Sequence, residues 1–204
     1  MSKIAIIGAG GHMRSAINIL KANYSDMFMG IFDDSYQKEA NEVICGINVV
    51  GKIKDIAEDD RVFLAIGDNE KRREYAKVYQ ANLIKDNICH ISSIIEDYVS
   101  IGESNQVFAN VYINSAVKLG SNNIINTYAL IEHEVEIGNN NHISVGAIIC
   151  GRVYIGDNCM IGAGATIIDK ISICDNVIIG AGTVVVNDIK EGGTYVGVPA
   201  IRIK

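Results

Sequence analysis

The sequence predicts two domains, a small parallel α/β domain over residues 1–90 and a parallel β-helix over residues 91–204. The β-helix is predicted by an aliphatic residue at every sixth position of the second half, and by glycine and asparagine residues that recur every eighteen positions. The α/β domain is predicted by short apolar runs that alternate with helical stretches. A chain of 204 residues is long enough for both parts to bury a core.

The first domain begins with alternating strands and helices. Lys3–Ile7, Met27–Phe32 and Val62–Ile66 are short apolar runs that we interpret as strands. A helical stretch to about Lys21 follows the first run, and a charged helix over roughly 70–80 follows the last. This alternation is typical of a parallel sheet with crossover helices.

A glycine-rich turn joins the first predicted strand to its helix. Its residues, Gly8 to His12, resemble the dinucleotide-binding fingerprint, and Asp33-Asp34 ends the next strand. Met13 replaces the third glycine of that fingerprint, and the domain has room for only one mononucleotide-binding half. We therefore expect the turn to bind a phosphate or a similar ligand, the alternative being a tight turn without a ligand.

The second half contains a six-residue repeat in a single phase. Written in sixes from Ile95 to Val185, all sixteen first positions are aliphatic and thirteen are isoleucine. A period of six does not match the 3.6 residues of an α-helical turn, whereas it suits one short strand plus a tight turn. We expect each first-position side chain to point into a prism, where β-branched isoleucine fits a pleated, buried strand.

A longer period of eighteen residues lies over the hexads and predicts the corners of the prism. Gly102, Gly120, Gly138 and Gly156 form one series, and Asn122, Asn140, Asn158 and Asn176 form another. Three hexads then make one triangular coil, whose corners need the positive φ that glycine and asparagine tolerate. The repeat gives about five coils, followed by a tail from about Val186.

The composition excludes several classes of function. A net charge of −6 does not favour nucleic-acid binding, and no apolar run approaches the roughly 20 residues of a membrane span. The start of the chain is a poor secretory signal. Five cysteines without C-x-x-C spacing suggest reduced thiols in a cytoplasmic protein, and four histidines without ligand spacing argue against a metal site.

Five segments together resemble one protein family. They are GAGGH at 8–12, DD at 33–34, AIGDN at 65–69, NTYALIEHEVEIGNNNHISVG at 126–146 and GVPA at 197–200. In this order they resemble the NeuD/PglD-like bacterial sugar acetyltransferases over essentially the whole chain. The resemblance implies a Rossmann-like nucleotide-sugar-binding domain, a left-handed parallel β-helix and a homotrimer.

The resemblance also implies an activity and a set of site residues. The activity is transfer of acetyl from acetyl-CoA to an amino or hydroxyl group of a sugar, here a UDP-linked 4-amino-sugar. His133 corresponds to the general base and Glu134 to its acidic partner. His142, Ala163 and Ala181 correspond to acetyl-CoA contacts. The nucleotide-sugar contacts correspond to Gly10, Gly11, His12, Asp33, Asp34 and Gly67.

The chemistry of the side chains, considered apart from the resemblance, also suits acetyl transfer. A thioester is already activated, so the reaction needs only a base for the acceptor, and neutral imidazole is a base near pH 7. A carboxylate beside the ring fixes its tautomer, and the sequence leaves open whether Glu132 or Glu134 does so. No enzyme nucleophile is required, and we interpret Cys150 and Cys159 as packing or surface residues.

The spacing of His133 and His142 predicts a shared interface. The two histidines are nine residues apart, which is half of an eighteen-residue coil, so they should lie on different sides of one prism. If both contact one reaction centre, one of them comes from a neighbouring subunit.

Three other functions remain as alternatives. The same fold could serve a sialic-acid-type O-acetyltransferase. The glycine turn could serve an NAD-dependent oxidoreductase, although its missing third glycine disfavours this. The β-helix could also be an inert scaffold, which the His133-Glu134 pair argues against.

Overall fold

The computed structural model describes residues 3–24 and 28–204. The chain divides into two compact units, one ending at Lys85 and one running from Asp86 to Lys204. In the described part of the chain, no helix has the length and apolar character needed to span a membrane.

The first unit is a parallel α/β sheet domain. In chain order its elements are β1 (Ile4–Ile7), α1 (Gly11–Tyr24), β2 (Phe28–Phe32), β3 (Val43–Ile44), β4 (Ile47–Gly51), β5 (Arg61–Leu64) and α2 (Asn69–Val78), with short 3₁₀ helices at Lys38–Ala40 and Ile53–Asp55. The spatial order is β3-β4-β2-β1-β5. The β1–β2, β1–β5 and β2–β4 pairs are parallel and β3–β4 is antiparallel, so the predicted α/β class is confirmed.

The boundaries of these elements differ from the predicted ones by a few residues. The strand predicted to end at Ile66 ends at Leu64, and the helix after it begins at Asn69 because the Asp68 side chain accepts a hydrogen bond from the Lys71 N–H at 2.9 Å. The first helix continues past Lys21 to Tyr24. The predicted start of the second strand, Met27, lies outside the described residues.

The buried face of α1 explains why Met13 departs from the glycine fingerprint. Met13, Ala16, Ile17 and Leu20 are buried and recur at the spacing of one helix face. Met13 is fully buried. A hydrophobic side chain therefore replaces the glycine because it is the first core residue of the helix.

The second unit is a parallel β-helix, as predicted. Its strands in chain order are β6 (Ile88–Cys89), β7 (Ile94–Ile95), β8 (Ser100–Ile101), β9 (Gln106–Val107), β10 (Tyr112–Ile113), β11 (Lys118–Leu119), β12 (Ile124–Ile125), β13 (Leu130–Ile131), β14 (Glu136–Ile137), β15 (His142–Ile143), β16 (Ile148–Ile149), β17 (Tyr154–Ile155), β18 (Met160–Ile161), β19 (Thr166–Ile167), β20 (Ser172–Ile173), β21 (Val177–Ile179), β22 (Val184–Val185), β23 (Gly193–Val196) and β24 (Ile201–Arg202).

These strands stack into three faces. The first face runs from β6 through every third strand to β21 and is extended by β23 and β24. The second face runs from β7 to β22, and the third face runs from β8 to β20. The expected count of about five coils is too low for the first face, because β6 precedes the first predicted hexad and the C-terminal tail adds two strands.

The hexad positions form the core of the prism. From Val107 to Val185 every first position is buried, whereas Ile95 at the open end is 38% exposed. The small residues four positions later, such as Ala129 and Ala147, are buried in the same core. Each inward aliphatic side chain contributes roughly 1.5–3 kcal/mol of gross burial free energy.

The three corners use different residues to reach positive φ. The third corner, where the third face leads to the first, carries Ser104, Asn122, Asn140, Asn158 and Asn176. The first corner, where the first face leads to the second, carries Asn110, Tyr128, Gly146, Gly164 and Gly182. The second corner, where the second face leads to the third, carries Tyr98, Ala116, Glu134, Arg152 and Lys170. Residues without a preference for this conformation thus occupy the second corner.

The series of glycines that begins at Gly102 has a different role from the predicted one. These glycines do not adopt positive φ. A Cβ on Gly120 would lie 2.5 Å from the Gly138 carbonyl oxygen, and one on Gly102 would lie 2.8 Å from the Gly120 carbonyl oxygen. Glycine is required there because consecutive coils approach too closely for a side chain.

A ladder of buried asparagines runs along the prism between coils. Asn105, Asn123 and Asn141 are fully buried. Asn123 Oδ1 accepts a hydrogen bond from the Asn141 N–H at 2.7 Å, and Asn123 Nδ2 donates to the Gly138 carbonyl at 3.0 Å. The ladder starts at Asn87 and ends where Asn141 Oδ1 accepts from the Cys159 N–H. It supplies partners for backbone groups that the corners would otherwise leave unpaired.

Candidate functional site

A cavity of about 450 Å³ lies at the carboxyl ends of β1, β2 and β5 in the first unit. Parallel sheets bind ligands at this edge. The cavity brings together all six residues that the resemblance assigns to the nucleotide sugar, namely Gly10, Gly11, His12, Asp33, Asp34 and Gly67.

The glycine turn is shaped to admit a ligand. A Cβ on Gly10 or Gly11 would meet no atom within 4 Å, so these positions leave open space beside the first turn of α1. Gly8 is required for a different reason, because it has φ of +109° and a Cβ would lie 2.9 Å from the Ala65 carbonyl oxygen. The backbone N–H groups at the start of a helix favour an anion such as a phosphate.

The two acidic residues of the cavity have different environments. Asp33 holds the glycine turn, because its Oδ2 accepts from the Ala9 N–H at 2.8 Å and its Oδ1 accepts from the Ser35 N–H and hydroxyl. Partial burial acts to raise the pKa of Asp33, but the hydrogen bonds from Ser35 and Ala9 hold it below its usual value. Asp34 accepts a 3.3 Å hydrogen bond from the Tyr75 hydroxyl. Burial and the Asp34 charge raise the pKa of Tyr75, which keeps this donor protonated.

Lys71 and Tyr75 were missed by the sequence analysis and also line the cavity. They are four residues apart on α2 and therefore share one helix face. That spacing, immediately after the strand that ends at the cavity, is the signal by which they could have been found.

The second candidate centre lies at the second corner of the β-helix. His133 Nδ1 and Glu134 Oε2 are 3.1 Å apart, and both side chains are about half exposed, at 45% and 59%. Glu132 is engaged elsewhere, because its Oε2 accepts a 2.7 Å hydrogen bond from Asn114 Nδ2. Glu134 is therefore the carboxylate that contacts the imidazole of His133.

Gly151 was also missed, and it borders the other edge of the His133 ring. A Cβ on Gly151 would lie 2.7 Å from Cε1 and 2.8 Å from Nε2 of His133. Gly151 has no positive φ, and the equivalent corner positions of other coils carry Ser115, His133 and Asp169. The backbone thus tolerates a side chain there, and glycine is required by the position of the ring.

We predict that Gly151→Ala reduces kcat by about 10- to 100-fold, because the added methyl displaces the His133 ring by the order of 1 Å. Ser115→Ala, at the same corner position two coils earlier, should leave kcat unchanged. Steady-state kinetics with circular dichroism of both variants makes the comparison. Wild-type kcat in folded Gly151→Ala would contradict this role for the glycine.

Glu134 adopts φ of +58°, which a glutamate does not favour. We predict that Glu134→Asn stabilises the fold by about 0.5–1 kcal/mol, because asparagine tolerates this conformation, while activity falls at least tenfold. Ala116→Asn, at the same corner one coil earlier, should give the stability gain without the loss of activity. Thermal unfolding and kinetics of both variants test this trade-off, and an active Glu134→Asn enzyme would argue against a role for the carboxylate.

The thiols of Cys150 and Cys159 are poorly suited to act as nucleophiles. Burial, followed by the charges of Glu132 and Asp169, raises the pKa of Cys150, which directly precedes Gly151. Burial raises the pKa of Cys159 to about 12. Both cysteines are therefore protonated at neutral pH, which disfavours an acyl-thioester route through either one. In the described part of the chain, no group of three metal-ligating side chains is arranged around a common point.

His142 lies in a different environment from His133. It is on β15 of the first face, it is only 7% exposed, and its Nε2 is 3.2 Å from Asn126 Nδ2. The amide can donate only to an unprotonated Nε2, so this nitrogen is occupied as an acceptor. This arrangement suits a positioning group better than a general base.

Ala163 and Ala181 are exposed on consecutive coils of the first corner. The Gly182 N–H donates to the Ala163 carbonyl at 2.9 Å, which stacks the two positions directly. His142 is on the face that leads to this corner, whereas His133 is at the second corner, across the second face. Within one protomer the structure therefore brings together the residues assigned to acetyl-CoA and separates them from His133.

Comparisons with known protein families match both units. Residues 3–79 match the model described as the PglD N-terminal domain. Residues 134–169 and 152–187 match the model described as bacterial transferase hexapeptide (six repeats). No curated protein sequence matches the chain.

Comparisons with solved structures extend over the whole chain. PerB from Caulobacter crescentus, in complex with CoA and GDP-perosamine, is 31% identical with a TM-score of 0.88, over 100% of this chain and 98% of that chain. The acetyltransferase domain of PglB from Neisseria gonorrhoeae is 27% identical with a TM-score of 0.88, over 100% of both chains. The same domain in complex with acetyl coenzyme A is 28% identical with a TM-score of 0.86, over 98% of both chains.

Proposed function

The chain belongs to the NeuD/PglD family of bacterial sugar acetyltransferases, and on this premise we propose that it transfers acetyl from acetyl-CoA to an amino group of a nucleotide-linked sugar, with His133 as the general base. The observation that carries the proposal is the His133-Glu134 pair, whose Nδ1–Oε2 distance is 3.1 Å. The similar PerB structure contains CoA and GDP-perosamine, which supports both substrate classes.

The geometry of the pair suits proton transfer. When His133 carries its proton on Nδ1, this N–H donates a hydrogen bond to the Glu134 carboxylate. The Nε2 lone pair is then available to the acceptor amine. Nε2 has no hydrogen-bond partner among the described residues, and it faces the gap that Gly151 leaves. Glu134 also stabilises the imidazolium that forms when the proton arrives.

The bond changes are those of a direct acyl transfer. The neutral amine nitrogen attacks the thioester carbonyl, the C–N bond forms, and the amine proton passes to His133 Nε2. The C–S bond then breaks, and the CoA thiolate leaves and takes the proton from the imidazolium. The products are an amide and free CoA, and His133 returns to its starting state.

The acceptor is proposed from the cavity of the first unit. A diphosphate suits the glycine turn and the start of α1, with Lys71 supplying a cation on the lining. The resemblance to the family implies UDP as the nucleotide and a 4-amino-sugar as the acceptor. The GDP-perosamine complex of PerB favours a guanine nucleotide as the second candidate.

The separation of the two corners supports a homotrimer with shared active sites. We propose that His133 of one copy acts on acetyl-CoA bound along the first corner of a neighbouring copy, near His142, Ala163 and Ala181. The five free cysteines agree with a cytoplasmic enzyme.

A substrate panel tests the proposal. Release of CoA thiol from acetyl-CoA is followed with Ellman reagent, after subtraction of the signal from the protein's own cysteines. The acceptors are a UDP-linked 4-amino-sugar, GDP-perosamine, the free amino sugars and CMP-linked sialic acid, and light scattering gives the oligomeric state. We expect release with a nucleotide-linked amino sugar and a trimeric mass.

Each other outcome has a definite meaning. Release with sialic acid alone would replace the N-acetyltransferase by the O-acetyltransferase. No release with any acceptor, together with NAD(H) binding, would overturn the acetyltransferase and favour an oxidoreductase. An active monomer would contradict the shared site.

A further inference from the structure

Two opposite charges at the second corner do not pair, although their positions favour it. Glu134 and Arg152 are eighteen residues apart, adopt the same positive φ and occupy consecutive coils, which are stacked at about 4.8 Å. Elsewhere in this β-helix that spacing gives direct contacts. Lys118 Nζ and Glu136 Oε1, also eighteen apart, form an ion pair at 2.6 Å. Among the described residues, no ion pair joins Glu134 to Arg152.

Each of the two side chains contacts another partner instead. The Arg152 guanidinium binds Asp169, with Nη2 at 3.0 and 3.1 Å from the two carboxylate oxygens and Nε at 3.3 Å from Oδ1. Glu134 turns to His133. Within the described ranges, Asp169 is thus the acidic side chain that Arg152 contacts.

We propose that Asp169 is a positioning residue that holds Arg152 away from Glu134, so that Glu134 remains the partner of His133. This inference rests on the proposed function, because the His133-Glu134 contact affects the reaction through His133 as the general base. Without the Asp169 carboxylate, Glu134 is the acidic side chain next to Arg152 along the corner. An arginine fork binds a carboxylate through two donors and competes well with a single imidazole N–H.

The local charges support this division of partners. The charged side chains beside His133 on these consecutive coils are Glu132, Glu134, Arg152, Asp169 and Lys170. The hydrogen bonds from Arg152 hold the pKa of Asp169 below its usual value, so its carboxylate is ionised at neutral pH. Lys170, 3.7 Å from Asp169, is a second cation at the same carboxylate. Glu132 is held by Asn114 and does not compete for the arginine.

The first test is the tautomer of His133, read from its imidazole ¹⁵N chemical shifts in the intact protein at a pH where the ring is neutral. His133→Gln assigns the signal. We expect the proton on Nδ1 in the wild type and in Arg152→Gln, and a mixture of both tautomers in Asp169→Asn. The double variant Asp169→Asn/Arg152→Gln should return the proton to Nδ1, because the competing cation is gone. A wild-type tautomer in Asp169→Asn would overturn the proposal.

The second test is a kinetic cycle through Glu134, using the acceptor that the substrate panel identifies. Asp169→Asn should lower kcat roughly 2- to 5-fold, the size of effect that exposed ion pairs provide, and Arg152→Gln should restore it. In a Glu134→Gln background, Asp169→Asn should have no further effect. An equal loss in both backgrounds would mean that Asp169 acts on the reaction directly, which contradicts a positioning role. Because the tautomer needs no substrate, this inference can fail or succeed independently of the proposed function.

Discussion

His133→Ala is expected to lower kcat by about 10²–10⁴-fold, the usual contribution of general-base catalysis. The substitution removes the Nε2 atom at the edge of Gly151, and the Cys150 thiol cannot replace it as the base, because burial and nearby carboxylates raise its pKa. Since the side chain is about half exposed and outside the prism core, the fold and the oligomer should not change. The measurement is kcat with saturating acetyl-CoA and acceptor, together with light scattering.

His90→Ala is the matched control for this substitution. His90 is also a histidine of the β-helix, and its Nδ1 contacts Ser92 Oγ at 2.8 Å rather than a carboxylate. We expect its kcat to stay close to that of the wild type. If His133→Ala keeps wild-type activity, His133 is not the base.

Asn123→Ala is expected to lower the free energy of unfolding by about 2–4 kcal/mol. The substitution removes the acceptor of the buried Asn141 N–H and the donor to the carbonyl of half-buried Gly138. Each buried polar group without a partner costs about 1–3 kcal/mol. Chemical denaturation followed by circular dichroism measures the change.

Asn187→Ala provides the same substitution at an exposed position. We expect it to alter the free energy of unfolding by less than about 0.5 kcal/mol, as is usual for surface substitutions. Equal stabilities of the two variants would show that the asparagine ladder does not stabilise the prism.

The hexad repeat allowed the fold to be predicted because its aliphatic residue recurs at one fixed spacing along the chain. An aliphatic residue at every sixth position requires an inward strand at each one, and the observed core from Val107 to Val185 follows that lattice. The asparagine ladder follows the same eighteen-residue period at 87, 105, 123 and 141 and could have been read from it. The prediction of the corners rested on the neighbouring asparagine series that begins at Asn122.

Other features depend on contacts that a repeat does not specify. The choice between Glu132 and Glu134 required the Asn114 contact one coil away, which occupies Glu132. The requirement for glycine at position 151 follows only from the position of the His133 ring against it. The second corner could not be predicted from the positions of glycine and asparagine. Glu134 and Arg152 adopt positive φ there, although neither residue type favours that conformation.

Direct acyl transfer is tested by following a ¹³C-labelled acetyl group from acetyl-CoA to the acceptor in wild-type and His133→Ala enzyme. We expect that wild-type enzyme places the label on the amine nitrogen of a nucleotide-linked sugar, that no labelled protein accumulates, and that His133→Ala transfers it at least 100-fold more slowly. Label on a cysteine of the protein, or equal transfer rates for the two enzymes, would contradict direct attack assisted by His133.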